Sequence, residues 1–238
     1  MPPRTRNFTL SRRLGHPRKR HEGRPVTPRD AATLILVRHG SDGPEILMGQ
    51  RSNRAKFVPG SFVFPGGRLD GHDWEARPAT PLSAPVAKMG LRGNSAKAQA
   101  LAMAAIRETF EETGLLLAAA GDVGAADDET WREMRALGKA PDLARLTYLA
   151  RAITSPYSPI RFHARFFMAT YRPEDGGLGG SGELSDLQWI PIARADDFGL
   201  LDVTHFMLGE IRRRLAEPAA DTVPLFAYRL DRPFVRYD

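Results

Sequence analysis

The 238-residue sequence predicts an α/β fold, because segments with strand character are interspersed with segments of helical period. The longest predicted helix ends at Gly114. Another covers about 204–215 and has apolar residues spaced for packing. In the helix that ends at Gly114, apolar residues recur at steps of three and four: Ala96, Ala100, Met103, Ile106 and Phe110. With 42% hydrophobic residues the chain can bury one sizeable core, so we predict one domain.

The strands are predicted from short apolar runs bounded by turn residues. Residues 31–37 and 45–48 form a predicted hairpin that begins a mixed sheet. Residues 62–64 form a short strand that enters the turn Pro65-Gly66-Gly67, where backbone can approach a ligand closely. Further strands are predicted at 146–153, at 161–171 and around Trp189, and a polar helix at 130–137.

Positive charge is concentrated at the amino terminus. Residues 1–30 carry a net charge of +7 and the whole chain +6, so residues 31–238 sum to −1. We predict a basic, disordered leader at 1–28 and a single domain at 29–238. The leader either attracts nucleic acid or an anionic substrate, or is a solvated segment. Phe8 is its one aromatic residue, so base stacking is disfavoured and we expect no nucleic acid partner.

Composition excludes several classes of protein. Without cysteine the chain has no disulfide, thiolate nucleophile or zinc-thiolate site. It contains no run of eighteen apolar residues and no hydrophobic signal region, so we expect a cytoplasmic protein without a membrane partner. Residues 234–238 lack a peroxisomal address of the Ser-Lys-Leu type.

The segment from Arg107 to Leu115 carries the predicted chemistry. Glu108, Glu111 and Glu112 share one helix face at separations of three and four, so their carboxylates repel unless a cation lies among them. Carboxylate oxygens suit Mg²⁺ or Mn²⁺, which polarises a phosphoryl group and acidifies water. Arg107 lies four residues before Glu111 and can hold that carboxylate in a bidentate pair. The alternative is a solvated acidic face.

Gly66-Gly67 followed by Arg-Glu-x-x-Glu-Glu-x-Gly resembles the Nudix box of hydrolases that cleave a diphosphate linked to another moiety. The resemblance implies an α/β/α sandwich around a mixed sheet and a small-molecule diphosphate substrate. It also implies Mg²⁺ or Mn²⁺ bound by the three glutamates with help from the Gly67 carbonyl. Relatives are often homodimers, although no stripe of residues here identifies an interface.

The box departs from the family pattern in its spacing. The family places its arginine fourteen positions after the glycine, whereas Gly67 and Arg107 are forty apart, which leaves an insertion of twenty-six residues at about 71–97. Gln99 stands where a glutamate is expected eight positions before the arginine. Such a split box resembles the branch that includes peroxisomal coenzyme A and acyl-coenzyme A diphosphatases, so these substrates are our first choice. The alternatives are ADP-ribose or a nucleotide sugar, an RNA 5′ end, and a non-catalytic binding module.

Residues outside the helix complete the predicted site. Substrate is expected at Gly66, Gly67, Arg51 and Arg165, although a strand arginine such as Arg165 is also explained by a nearby acid. His163, two positions before Arg165, is expected to be structural or exposed and not catalytic. By family resemblance the glycine-rich loop 176–182 brings a further carboxylate, Glu183 first and Asp186 second. The proton acceptor stays open between Glu108 and Glu183.

Overall fold

A mixed sheet forms the centre of the computed structural model, which describes residues 5–7, 23–55, 57–84, 86, 94–218, 222–229 and 232–237. The strand order is β1-β12-β11-β8-β9-β2-β3-β10, with β4 beside β3 and β5 beside β2. Neighbours are antiparallel except β2–β9 and β8–β11, which are parallel. A separate pair, β6–β7, completes the strands of the described residues.

The strands are β1 (Thr5–Asn7), β2 (Arg29–Gly40), β3 (Gly43–Arg51), β4 (Phe62–Val63), β5 (Gly66–Arg68), β6 (Ala118–Ala120), β7 (Lys139–Pro141), β8 (Thr147–Ile153), β9 (Phe162–Thr170), β10 (Leu184–Pro191), β11 (Pro224–Arg229) and β12 (Arg232–Tyr237). The described helices are α1 (His72–Glu75), α2 (Ser95–Thr113), α3 (Glu129–Ala136) and α4 (Asp202–Ala216). The predicted hairpin, strands and helices are present. Strands β1, β6, β7, β11 and β12 were not predicted, and β5 lies where a turn was predicted.

Helices cover both faces of the sheet. Because successive strand residues point to opposite faces, Leu34 and Phe167 pack with α2 and α3, whereas Ile35 and Phe166 pack with α4. Each face has its own buried core, one containing Trp131 and the other Phe206. The predicted α/β/α sandwich around a mixed sheet is therefore confirmed.

Helix α2 has clear local causes. Alanine, the strongest helix former, occupies much of its buried face. Asn94 caps the first turn, since its side chain accepts a hydrogen bond from Lys97 N at 2.9 Å. Gly114 ends the helix with φ +74°, a left-handed conformation that costs glycine little. The carboxyl-terminal half of the helix lies against β5, where Glu112 accepts a hydrogen bond from Gly66 N.

Two predicted segments are described only in part. Within the leader, residues 5–7 form β1 and pair with 234–236 of β12, while 1–4 and 8–22 lie outside the described residues. Within the insert, α1 and residues up to 84 are described, while 85 and 87–93 lie outside. In the described part of the chain, no helix combines the length and hydropathy needed to cross a membrane.

Candidate active site

A cleft of about 1140 Å³ opens beside β5 and crosses the sheet on the α4 side. At one end it is lined by carboxylates of α2 and of the glycine-rich loop. At the other end it is lined by apolar residues of β8, β9 and β11 and the first turn of α4. The cleft therefore joins a charged end to an apolar end.

The two glycines of β5 bring backbone and carboxylates together. Gly66 N donates a hydrogen bond to Glu112 Oε2 at 2.8 Å. A Cβ on Gly67 would collide with the Glu108 carboxylate, and a Cβ on Gly66 would collide with the backbone of β2. Gly66 and Gly67 lie in a short strand paired with β2 rather than in a free turn. Glycine is required here because the α2 carboxylates lie directly against this strand.

Arg107 connects the carboxylates to the insertion. Its Nη1 lies 3.0 Å from Glu108 Oε1 and 3.2 Å from both Glu111 oxygens, so the Arg107–Glu111 contact expected from the spacing is present. Its Nε and Nη2 donate to the two Asp73 oxygens at 2.8 and 3.1 Å, and Nη2 also donates to Arg68 O. Arg107 and Asp73 are 7% and 1% exposed, so this is a buried ion pair.

Asp73, and not Gln99, occupies the position of the glutamate that the family pattern places before the arginine. Counting back from Arg107 placed Gln99 where the family has glutamate. The family pattern also puts that glutamate six positions after the glycine, and six positions after Gly67 stands Asp73. The carboxylate partner of the arginine is therefore present, on the near side of the insertion. Helix α1 delivers it across thirty-four residues of sequence.

Glu111 receives a further contact from α3, to which the sequence assigned no chemistry. Thr130 Oγ1 donates to Glu111 Oε1 at 2.6 Å, and Thr130 is itself held by the Asp128 cap at 3.0 Å. Asp128 also lines the cleft. Helix α3 thus fixes the orientation of a carboxylate in α2.

Burial and mutual repulsion perturb the buried groups. Burial raises the pKa of Glu112 to about 8; the Gly66 hydrogen bond opposes this, and the charges of Glu108 and Glu183 add to it. Burial raises the pKa of Glu108 to about 7 despite Arg107, and Glu111 adds to the rise. Glu108 lines the cleft, whereas Glu112 does not and is hydrogen-bonded to Gly66, which does. A strongly shifted carboxylate in a cleft is typical of a functional site.

The guanidinium of Arg107 stays charged in this environment. Burial alone would lower its pKa, but the hydrogen bonds that Arg107 donates to Asp73 and the charges of Asp73, Glu108 and Glu111 outweigh burial and raise it. One fixed positive charge therefore faces three carboxylates.

The glycine-rich loop is docked on the end of α2. Gly179 N donates to Thr113 O at 2.8 Å and Ser181 N to Glu111 O at 2.7 Å, while a Cβ on Gly180 would collide with Glu112 O. These contacts carry the chain to Glu183, which lines the cleft.

Arg51 and Glu183 face each other across the mouth of the charged end. Arg51 Nη2 lies 3.8 Å from Glu183 Oε1, and the Glu183 side chain is 62% exposed. Arg51 Nε is buried without a hydrogen-bond partner among the described residues. Asp186, the second candidate, does not line the cleft.

Arg165 was expected to bind substrate, but the structure places it away from the cleft. It does not line the cleft but is 4% exposed on the α2 face of the sheet, where Nη1 donates to Asp30 Oδ1 at 2.5 Å and to His163 O at 2.6 Å. The alternative explanation, a pair with a nearby acid, therefore holds. Burial lowers the pKa of His163 to about 4, and the positive charge of Arg165 adds to this, so His163 is neutral.

The chemistry of the site suits a divalent cation. Within the described ranges, no three acidic or histidine side chains are already gathered as a metal-binding group, because Arg107 and Gly66 hold the glutamates instead. The oxygens are nevertheless hard donors. Burial is the main cause of the raised pKa values of Glu108 and Glu112, and neighbouring carboxylates add a repulsion that a bound cation would relieve.

Comparison with known proteins supports one superfamily. No family model matches the chain. The chain is 27% identical in sequence to a NUDIX hydrolase from Alicyclobacillus acidocaldarius whose crystal structure is known. The superposition covers 77% of this chain and 90% of that one, with a TM-score of 0.60. In both sequence and fold the chain is similar to this Nudix hydrolase. It is also 27% identical over 174 residues to a Caenorhabditis elegans protein with a nudix hydrolase name, covering 68% of this chain and 51% of the relative.

The branch within the superfamily stays a prediction. A Gallus gallus protein named acyl-coenzyme A diphosphatase NUDT19 is 35% identical over 138 residues, which are 44% of this chain and 35% of that protein. The chain thus spans about half the length of the first curated relative and about a third of the second. These similarities support the prediction of a Nudix hydrolase at the level of the superfamily.

Proposed function

We propose that this Nudix chain is a metal-dependent diphosphatase that hydrolyses the phosphoanhydride of coenzyme A or an acyl-coenzyme A. The observation that carries the proposal is the charged end of the cleft, where α2 carboxylates, the β5 glycines and Arg51 meet. The split box and the similarity to an acyl-coenzyme A diphosphatase favour this substrate over ADP-ribose.

Each residue has a proposed task. Glu108, Glu111 and Glu112 would hold Mg²⁺ or Mn²⁺ with the Gly67 carbonyl. The bound ion would polarise the diphosphate and lower the pKa of the attacking water. Arg107 would keep the glutamates in place, since its contacts are to Asp73, to the carboxylates and to Arg68 O.

Two further groups act at the mouth of the cleft. Arg51 is suited to an anionic phosphate oxygen, because its Nε lacks a hydrogen-bond partner among the described residues and its Nη2 lies 3.8 Å from the exposed Glu183. Glu108, which faces Gly67, and Glu183, which is more exposed, are the two candidates for the proton acceptor. Comparing kcat against pH for Glu108→Gln and Glu183→Gln separates them, because only loss of the acceptor removes the acidic limb.

A product assay tests the function. The full chain is incubated with Mg²⁺ or Mn²⁺ and coenzyme A, acyl-coenzyme A, ADP-ribose, NADH or 5′-triphosphate RNA, and products are identified by mass spectrometry. We expect adenosine 3′,5′-bisphosphate and a phosphopantetheine product at the highest kcat/KM. Glu112→Gln should lower kcat/KM about a hundredfold or more, whereas exposed Glu133→Gln should not. Preference for ADP-ribose or RNA would reject the coenzyme A assignment, and no hydrolysis at all would reject catalysis.

A further inference from the structure

The apolar end of the cleft has a floor of small side chains. Residues Ala31, Ala164 and Ala152 are direct neighbours on β2, β9 and β8, and Phe226 of β11 follows in the same row. All four line the cleft. Because neighbouring strands are about 4.8 Å apart, the row from Ala31 to Phe226 extends roughly 14 Å across the sheet. Methyl groups in series leave a shallow channel where larger side chains would fill it.

The channel begins at the charged end. Ala31 pairs with Arg68 of β5, one position from Gly67, so the floor continues from the strand that contacts the α2 carboxylates. A ligand held at the β5 glycines can therefore extend along the alanines without leaving the cleft.

The walls of the channel are also apolar. Phe57 and Phe162 meet edge to face with ring centroids 5.2 Å apart, and Val203 of α4 lines the other end. We call this region the apolar lobe: Ala31, Phe57, Ala152, Phe162, Ala164 and Val203. The lobe is continuous with the core under α4, since Phe226 and Phe166 line the same cleft and also belong to that core.

Polar groups around the lobe are already engaged. Thr154 Oγ1 accepts from Phe162 N at 3.0 Å, Ser158 Oγ donates to Ile160 O at 2.7 Å, and Tyr228 Oη donates to Asp202 at 3.4 Å. A nucleobase needs partners for its polar edge, whereas an aliphatic chain needs only apolar surface. Because these polar groups are already hydrogen-bonded, the lobe is better suited to an aliphatic chain than to a nucleobase.

We infer that the apolar lobe binds the aliphatic chain of an acyl thioester and makes the enzyme prefer longer acyl-coenzyme A esters to free coenzyme A. The inference rests on the proposed function and adds a specificity site to it. The diphosphate would lie at the β5 glycines. The pantetheine arm, which separates the diphosphate from the thioester, would fold at the mouth of the cleft so that the acyl chain lies along the alanine floor.

A chain-length series tests the lobe. Steady-state kcat/KM is measured for coenzyme A and its acetyl, hexanoyl and dodecanoyl esters below their micelle-forming concentrations, with ADP-ribose as a substrate that lacks a chain. Wild type should show kcat/KM rising with chain length, by up to about fourfold for each methylene that becomes buried. No dependence on chain length overturns the inference.

Substitutions in the floor locate the effect. Ala164→Leu should lower the dodecanoyl-to-acetyl ratio of kcat/KM about tenfold or more, because the new side chain occupies the channel. Val203→Trp, placed at the far end, should lower that ratio while sparing the hexanoyl-to-acetyl ratio. Ala144→Leu is the matched control, since Ala144 is exposed and does not line the cleft. An equal loss for every substrate in both lobe variants would contradict the inference.

Failure of the lobe and failure of the proposed function give different results. Hydrolysis of all coenzyme A esters at one rate rejects the lobe and keeps the function. Hydrolysis of ADP-ribose alone rejects the coenzyme A assignment, and calorimetry without metal then compares binding of dodecanoyl-coenzyme A with coenzyme A. Tighter binding of the ester, weakened in Ala164→Leu, supports the lobe, whereas equal binding rejects it.

Discussion

Replacing Asp73 by asparagine should destabilise the fold, because every contact of this carboxylate is made to a donor. Asp73 accepts from Arg107 Nε at 2.8 Å, from Arg107 Nη2 at 3.1 Å and from Asp70 N at 2.7 Å. An amide has the same shape but only one acceptor oxygen. Its NH₂ group must therefore face a donor, and the charge opposite a buried guanidinium is lost.

The size of the destabilisation depends on the contacts that Arg107 keeps in the variant. Removing one partner of a buried ion pair costs about 3–5 kcal/mol. Arg107 still contacts Glu108, Glu111 and Arg68 O in the variant, so we expect the lower end, about 3 kcal/mol. For a chain of this size, that loss lowers Tm by roughly 6–12 °C.

Urea unfolding followed by the fluorescence of buried Trp131 measures the change. The control is Asp70→Asn, at an exposed aspartate that caps His72 N at 3.1 Å and should change stability by less than about 0.5 kcal/mol. If Asp73→Asn unfolds within that margin of wild type at an unchanged m value, Asp73 does not stabilise Arg107.

Three other changes probe the charged end. Gly67→Ala should lower kcat about a hundredfold, since its methyl group would displace the Glu108 carboxylate; Gly71→Ala, where a Cβ meets open space, is the control. Thr130→Val should lower kcat about tenfold with little change in KM, because Glu111 loses its 2.6 Å hydrogen bond. Without metal, the free energy of unfolding should fall by on the order of 3 kcal/mol as pH rises from about 4.5 to 8. Burial raises the pKa of Glu112 to about 8, so in that range the folded state binds more protons than the unfolded state.

Each of these expectations has a contrary result. Unchanged kcat in Gly67→Ala would mean that Glu108 need not lie against β5. Weaker substrate binding with unchanged kcat in Thr130→Val would mean that Thr130 does not act through Glu111. Saturating Mg²⁺ should flatten the pH dependence of stability, because a bound cation favours the ionised carboxylates; an equal slope with and without Mg²⁺ would argue against binding at Glu112.

Much of the fold could be predicted from patterns of residues that are close together in the sequence. The helix ending at Gly114 and the hairpin of β2 and β3 were predicted because their periodicity and turn residues are contiguous in sequence. The pair Arg107–Glu111 followed from a spacing of four on one helix. Strands β11 and β12 were missed, since β11 joins the sheet through a parallel pairing with distant β8.

The remaining errors concern contacts made between distant segments. Asp73 was overlooked because the spacing was counted from the far side of an insertion, and Thr130 because its partner lies nineteen residues away on another helix. Arg165 was assigned to substrate because alternation along β9 shows two faces without showing which one meets the cleft. In a sheet covered by helices on both sides, that choice depends on tertiary packing.

The position of the insertion has a consequence for protein engineering. Its two ends are fixed independently, by the buried Asp73–Arg107 pair and by the Asn94 cap of α2. The entropy of closing a flexible loop grows only logarithmically, by about 0.6 kcal/mol for each doubling of its length. The stretch between these anchors is therefore a suitable graft point, where a reporter domain or affinity tag can be introduced while α2 keeps its position.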